Sequence, residues 1–436
     1  MSRSPLDRRN FVRLFAAGGS AALLGQPGFP GVGDGSTWAA SDPLRGPSPL
    51  RRFNGDVDWT AVRAQFLMPP DLSVMNAANL CPSSMPVLEV LDAANRSLDR
   101  EPVPSVRSDM LGAKEVTRDK LAAFLRVTPE EILLTRNTSE ANNWVSAGLD
   151  LGPGDEVLIF SDNHPSNNQA WKTRAERFGY TVREVDPVTP HPGFDYYLDA
   201  FARAITPRTR VLAFTHLTNT AGDLLPAREL CALARERGVL SLVDGAQSFG
   251  LFDIDLSDMR PDFFSGSAHK WPCGPKETGL LYVSADVHDR FHPSVVSAYT
   301  GSRGLARTHE GLGQRDEPAL RAFGRQIDFL SAIGQHEIEA RSRALATALV
   351  EELGRLDGVR MWTSTEAPLR AAVVTFQPGE LEPSRVIDAL EADGIVAASR
   401  GGSDRGGIRF SPHYYNSFED VERGVAAIGQ YMRRGF

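Results

Sequence analysis

Lys270 stands in Ser265-Gly266-Ser267-Ala268-His269-Lys270-Trp271, among small and aromatic residues rather than the charged, solvated neighbours lysine usually keeps. An amine withdrawn from water and set near positive charge shifts toward its neutral form, which can form a Schiff base with a carbonyl. Asp244 is the second group of interest. It closes the apolar run Leu240-Ser241-Leu242-Val243 and precedes Gly245-Ala246-Gln247, one strand or loop unit ahead of the lysine. A carboxylate there can pair with a protonated ring nitrogen and keep a bound heteroaromatic ring electron-poor. Asp-Gly is also a common turn pair, so Asp244 taken alone reads equally as a strand ending.

Four further polar groups follow strand-like runs in the same way. Thr138 and Ser139, in Arg136-Asn137-Thr138-Ser139-Glu140, set hydroxyls and free amides at a helix start, a natural phosphate site. Both residues also favour the start of any helix. His164 lies in Ser161-Asp162-Asn163-His164-Pro165-Ser166-Asn167; its ring could lie on an aromatic cofactor or serve structure alone. Asn219, in His216-Leu217-Thr218-Asn219-Thr220, could donate to a cofactor oxygen or close an Asx-turn. Arg409, in Gly407-Ile408-Arg409-Phe410-Ser411-Pro412-His413, carries a fork that fits a carboxylate bidentately, or is a surface charge on a strand.

These groups need a scaffold. Strand-like runs at 131–135, 156–160, 211–214 and 239–243 alternate with helical stretches near 139–149, 167–178 and 227–237. The runs are continuously apolar, the pattern of strands covered on both faces. Their alternation with helices predicts an α/β fold with a mostly parallel, doubly wound sheet. In such sheets ligands gather beyond the carboxyl ends of the strands, where the polar groups above fall. Past about residue 300, a long helical pattern from Pro318 to Leu356, an apolar run at 371–376 and helices near 384–393 and 418–433 predict a smaller α+β domain. The expected division is 1–45 as signal and linker, 46–300 as an N-terminal segment plus large domain, and 301–436 as a small C-terminal domain.

Hydrophobic residues make up 42% and charged residues 23% of the 436, enough for a sizeable core. The net charge of -8 and the lack of a basic stretch interleaved with aromatics argue against a nucleic-acid partner. Cys81, Cys231 and Cys273 have neither metal-ligand spacing nor a disulfide framework, and no metal is expected. Near the N-terminus, Asp7-Arg8-Arg9-Asn10-Phe11-Val12-Arg13 precedes the apolar run Leu14 to Leu24 and a linker rich in Gly, Pro and Ser. This resembles a twin-arginine (Tat) export signal, with Asp7 standing where Ser or Thr is usual. The plain alternative is a disordered terminus with a chance arginine pair. The signal reading predicts a periplasmic or exported protein, and the apolar run is too short to hold the mature form in a membrane.

Asp244-Gly245-Ala246-Gln247 followed by Ser267-Ala268-His269-Lys270 resembles the class V aminotransferase family. These are fold-type I pyridoxal-phosphate (PLP) enzymes that include cysteine desulfurases and isopenicillin N epimerase-like proteins. The resemblance runs from about residue 70 to the C-terminus. It implies PLP carried on Lys270, with catalytic roles for Lys270, Asp244 and a ring-stacking His164. It implies cofactor contacts from Thr138, Ser139, Asn219, Gln247, Ser267 and His269. Gln314, after Gly313, stands where the family has a Gly-Thr that reaches the phosphate across a dimer interface, and it departs from that pattern. Arg409 is implied as the binder of the substrate α-carboxylate and Asn76 as a substrate-side residue. A homodimer and a small-molecule amino substrate are implied as well.

A carbanion stabilised by PLP can lead to transamination, epimerisation, elimination or decarboxylation, so fold and cofactor do not choose. The desulfurase branch needs a nucleophilic cysteine in the loop before Arg409, and the segment from Ser399 to Arg405 contains none. The expected activity is therefore aminotransferase or epimerase-like, at the α-carbon of an amino acid or amino-bearing peptide after export. The runner-up is a periplasmic tailoring enzyme of a peptide natural product such as a siderophore, by oxidative decarboxylation or transamination. A cysteine desulfurase or lyase ranks below these. So does a non-catalytic binding protein, because Lys270 and Asp244 occur together.

Overall fold

The computed structural model describes residues 50–400 and 405–436; the arginine pair, the linker and part of the loop before Arg409 lie outside them. Seven strands build the central sheet: β1 (Ile132–Thr135), β2 (Glu156–Phe160), β3 (Thr181–Val185), β4 (Thr209–Thr215), β5 (Leu240–Asp244), β6 (Phe263–Ser267) and β7 (Gly279–Val283). Their spatial order is β1-β7-β6-β5-β4-β2-β3. All neighbours are parallel except where β7 meets β1 and β6. Every residue of β2, β5 and β6 is buried, as parallel strands between two helical layers require. The edge strand β3 is half exposed and carries Arg183 and Glu184, so it lacks the apolar run that marked its neighbours.

The helices that matter for the site are α1 (Pro104–Leu125), α2 (Thr138–Gly148), α3 (Pro165–Phe178), α4 (Ala227–Glu236), α5 (Glu317–Ile333), α6 (Gln335–Gly354) and α7 (Phe418–Arg434). The single helical stretch expected from Pro318 to Leu356 is two helices. Gly334 separates α5 from α6 with φ 106°, a backbone conformation open to glycine and costly for other residues. Apolar periodicity resumes on both sides of the break, so the pattern alone did not reveal it.

The C-terminal part adds an antiparallel sheet of β8 (Val359–Met361), β9 (Val374–Pro378), β10 (Ala398–Arg400) and β11 (Gly407–Phe410), in the order β10-β11-β9-β8. Ser73–Val74 pairs in parallel with Ile395–Val396, and Asn76 bridges to Ser411. The segment before residue 80 is thus woven into the C-terminal strands. Arg405, just ahead of β11, pins the small sheet to the carboxyl ends of the central one. Its two terminal nitrogens donate to Asp162 and Asp223, each at 2.6 Å. Among the described residues no helix is long and apolar enough to cross a membrane.

A buried ion pair anchors β1 at the far edge. Arg118 of α1 donates to both oxygens of Glu310 at 2.7 and 3.0 Å, and Glu310 also accepts the Leu134 amide at 2.7 Å. Both side chains are fully buried. Arg118→Met would leave the Glu310 carboxylate buried with only the more distant Lys114 and Arg315 beside it. Urea unfolding should show a loss of about 3 kcal/mol. Adding Glu310→Leu should restore much of that loss, because it removes the uncompensated charge.

Candidate active site

Asp244 emerges at the carboxyl end of β5, 1% exposed. Its Oδ2 accepts from the Asn142 amide at 2.8 Å and the Asn167 amide at 3.2 Å, and its Oδ1 accepts the Ala246 N–H at 3.0 Å. The two asparagines are held in turn: Ser265 donates to Asn142 Oδ1 at 2.7 Å, and the Trp171 indole donates to Asn167 Oδ1 at 3.2 Å. The carboxylate is therefore fixed in direction. Gly245 lets the chain turn away at once, since a Cβ there would sit 2.2 Å from the Phe264 ring and 2.6 Å from the Ser265 carbonyl. Asn142 and Asn167 were not singled out from the sequence. A signal existed, because asparagine is a poor helix former and both sit in sheet-covering helices rather than at caps.

Lys270 lies in the loop joining β6 to β7. Ala268 N–H donates to the Thr278 carbonyl at 2.9 Å and Cys273 N–H to the Lys270 carbonyl at 2.8 Å. The neighbouring Trp271 is fully buried and locked. Its indole donates to Gln247 Oε1 at 2.7 Å, and its carbonyl accepts from His413 Nε2 at 2.6 Å. Ser342 of α6 lies 2.9 Å from His413 Nδ1, which must then accept. Burial pushes the His413 imidazole down to about 3, so this bridge is neutral. Burial lowers the Lys270 ammonium to about 8; the Asp244 carboxylate opposes the shift, while the charges of Arg409 and Arg400 reinforce it.

Hydroxyls and amides cluster at the start of α2. The Thr138 amide donates to Ser267 Oγ at 2.8 Å, and the two hydroxyl oxygens are also 2.8 Å apart. Ser139 donates to Ser166 Oγ at 3.0 Å. Ser166 in turn approaches His164, its amide donating to Nδ1 at 3.2 Å with its hydroxyl 2.8 Å from the same atom. His164 caps α3; desolvation and the charge of Lys270 hold its imidazole below the ordinary value, against the pull of Asp244. Burial and then the charge of Lys270 lower the His269 imidazole to about 4.

Arg409 projects from β11 and is fully buried. It donates to the Asn219 carbonyl at 2.9 Å and to Asn76 Oδ1 at 3.1 Å, while its Nε has no partner. Burial, reinforced by Arg400, pulls its pKa well below the usual arginine range. A buried guanidinium that meets only neutral oxygens is poised for an anion.

The structure thus brings Lys270, Asp244, His164 and Arg409 within electrostatic reach of one another and ties Asn76 and Asn219 to Arg409. Asn219 contributes its carbonyl to that contact. Gln247 engages both Trp271 and, through its amide, the Ala78 carbonyl at 3.0 Å. Gln314 is exposed in the turn that Gly313 makes before α5, and none of these bonds involves it.

The residues present fit PLP. A rigid carboxylate suits the ring nitrogen, a lysine near neutrality suits the aldehyde, and hydroxyls at a helix start suit the phosphate. The unpartnered Nε leaves Arg409 with a donor free for an anion. Fold and site together define a fold-type I PLP enzyme. The chain belongs to the aminotransferase class-V family, whose sequence model matches residues 89–423.

It is 29% identical over 394 residues to the isopenicillin N epimerase of Amycolatopsis lactamdurans, covering 86% of this chain and 99% of that one. It is 27% identical over 391 residues to a probable cysteine desulfurase of Methanothermobacter thermautotrophicus, covering 83% and 95%. Among solved structures it is similar to a C-DES lysine-to-alanine mutant with glycine covalently linked to the PLP cofactor. That match has a TM-score of 0.78 and 25% identity over 84% of this chain and 98% of the other.

The Lys270 environment sets a pH dependence. The amine is protonated below about 8 and neutral above it, so covalent capture of PLP by apoprotein should accelerate as pH rises through about 8 and then level off. An ordinary exposed lysine would keep accelerating toward 10.4 or so. Stopped-flow absorbance with borohydride trapping measures this, and Lys270→Ala should trap no label.

Proposed function

We propose that this chain is an exported PLP enzyme that acts at the α-carbon of an amino acid or amino-bearing peptide, by an aminotransferase or epimerase-like reaction. The observation that carries the reading is Arg409: fully buried, without a carboxylate partner among the described residues, and within electrostatic reach of Lys270. PLP, when bound, supplies the electron sink that acidifies a C–H bond next to an attached amine. Asp244 would hold the ring nitrogen protonated. Thr138, Ser139 and Ser267 would bind the phosphate, and His164 would cover the ring. Arg409, steadied by Asn76 and Asn219, would grip the substrate α-carboxylate. That grip would turn the α-hydrogen toward Lys270, whose amine would take up or return the proton.

The likeness to an isopenicillin N epimerase supports an outcome at the α-carbon. Desulfuration is disfavoured by the thiols themselves. Cys81 and Cys273 are both buried, and burial pushes the Cys273 thiol well above its ordinary value. Nucleophilic cysteines need the opposite environment.

Holoenzyme incubated with amino acids in D₂O and followed by mass spectrometry should incorporate one α-deuterium. Deuteration with appearance of the opposite α-configuration on chiral chromatography and no ketoacid identifies epimerisation, and ketoacid identifies transamination. Arg409→Ala should lower kcat/KM by about 100-fold or more, the scale for truncating one partner of a buried charge pair. No exchange with any amine tested would overturn the reading. Export has its own test: residues 1–45 fused to a reporter should deliver it to the periplasm only while Arg8 and Arg9 are intact, and a cytoplasmic reporter would remove the claim.

A further inference from the structure

Arg400 brings a second cation to the wall that carries Arg409. β10 and β11 pair antiparallel, with Ala398 opposite Arg409 and Arg400 opposite Gly407. Directly opposed residues share a face and alternate residues return to it, so Ala398, Arg400 and Arg409 project from one face of the small sheet. Arg400 is the diagonal neighbour of Arg409, a spacing of about 7–8 Å between backbones. That face is turned to the central sheet. Arg409 reaches the Asn219 carbonyl, and Thr375, opposite Arg409 on β9, donates to the Thr220 carbonyl at 2.5 Å. The charge of Arg400 is felt at Lys270, His164 and Arg409 alike.

Some arginines that hold this fold together meet carboxylates, as Arg118 meets Glu310 and Arg405 meets Asp162 and Asp223. Arg370 and Arg341 donate only to neutral oxygens among the described residues. What sets Arg400 apart is that it shares a face with Arg409. Arg400 meets no carboxylate among the described residues. It donates to the carbonyl of its own neighbour Ser399 at 3.1 Å, and its Nε is buried without a partner. Like charges on neighbouring strands weaken a sheet, and withdrawing them from water without an anion adds to the cost. An arrangement of that kind is kept where a ligand brings the anions. One α-carboxylate occupies Arg409 and leaves Arg400 unanswered.

We propose that Arg400 and Arg409 form a two-point anion clamp and that the substrate is an amine with two carboxylates, the α-carboxylate at Arg409 and a second at Arg400. The assignment rests on the reading of the chain as an enzyme acting at the α-carbon. Arg409 is fully buried and Arg400 half-buried, so the second carboxylate lies nearer the solvent. A dicarboxylic α-amino acid has this form, whether free or as the acidic end of a peptide.

The test uses holoenzyme and two readouts. Calorimetry with glutarate, and butyrate as control, reads the clamp without turnover. Glutarate should bind more tightly than butyrate, and Arg400→Met should weaken it about 10- to 100-fold, the worth of a charged hydrogen-bonded contact. α-Deuterium exchange then compares glutamate with glutamine. Wild type should prefer glutamate, Arg400→Met should bring the ratio of kcat/KM values toward one, chiefly through KM, and Arg400→Glu should shift preference toward lysine. Equal handling of glutamate and glutamine by wild type overturns the clamp. So does loss of the cofactor absorbance in both Arg400 variants, which would assign Arg400 to the cofactor. Glutarate binding that depends on Arg400 without exchange for any amine would sink the proposed reaction and support the clamp. Exchange without a preference for the diacid would do the reverse.

Discussion

One lysine must be drawn partly out of water within the field of the Asp244 carboxylate, and most of the site architecture serves that requirement. A lysine amine left in solvent is almost wholly charged at neutral pH, so only a trace of it can attack a carbonyl at any moment. Lys270 is drawn toward neutrality by burial first, with Arg409 and Arg400 adding to the shift and Asp244 limiting it. Desolvating an ammonium group costs several kcal/mol, so the loop that holds it must be tied to something stable. Trp271 supplies the tie, bonded through its indole to Gln247 and through its carbonyl to His413. Those bonds connect the lysine loop to the central sheet and to the C-terminal strands at once.

The chain divides the site between its middle and its ends. The carboxylate of Asp244 and the hydroxyls of Thr138 and Ser267 come from the carboxyl ends of β5, β1 and β6 in the one central sheet. Arg409 and Asn76 come from strands and segments at opposite ends of the sequence, joined by the bridge between Asn76 and Ser411. Arg405 sets the distance between the halves, because its two carboxylate partners follow β2 and β4. The orientation of Arg409 therefore depends on contacts made by a residue with no place in the chemistry.

Much of this was legible in the residues. The all-buried strands β2 and β5 announced themselves as apolar runs, and Asp244 and Lys270 stood out against their surroundings. What stayed hidden has physical reasons. β3 is an edge strand with Arg183 and Glu184 in it, and β6 reads Phe-Phe-Ser-Gly-Ser, half of it small and polar. Gly334 splits a helix whose periodicity continues beyond it. Asn142 and Asn167 matter through hydrogen bonds to a residue far away in sequence, as His413 does through Trp271. Local pattern reports which face is apolar, and it is silent on which polar groups meet across a sheet.

The pairing of Ser73–Val74 with Ile395–Val396 ties the order of synthesis to the order of assembly. A growing chain has emitted everything up to β7 before the strands that receive its first segment exist. The residues around Asp244 and Lys270 are then already made, while the strand partners of Ser73–Val74 and Asn76 are still to come. The wall that carries Arg409 can close only once β11 and α7 have left the ribosome. A polypeptide ending before β11 would retain the strand ends that surround the lysine and lose Arg409 with the strand that carries it.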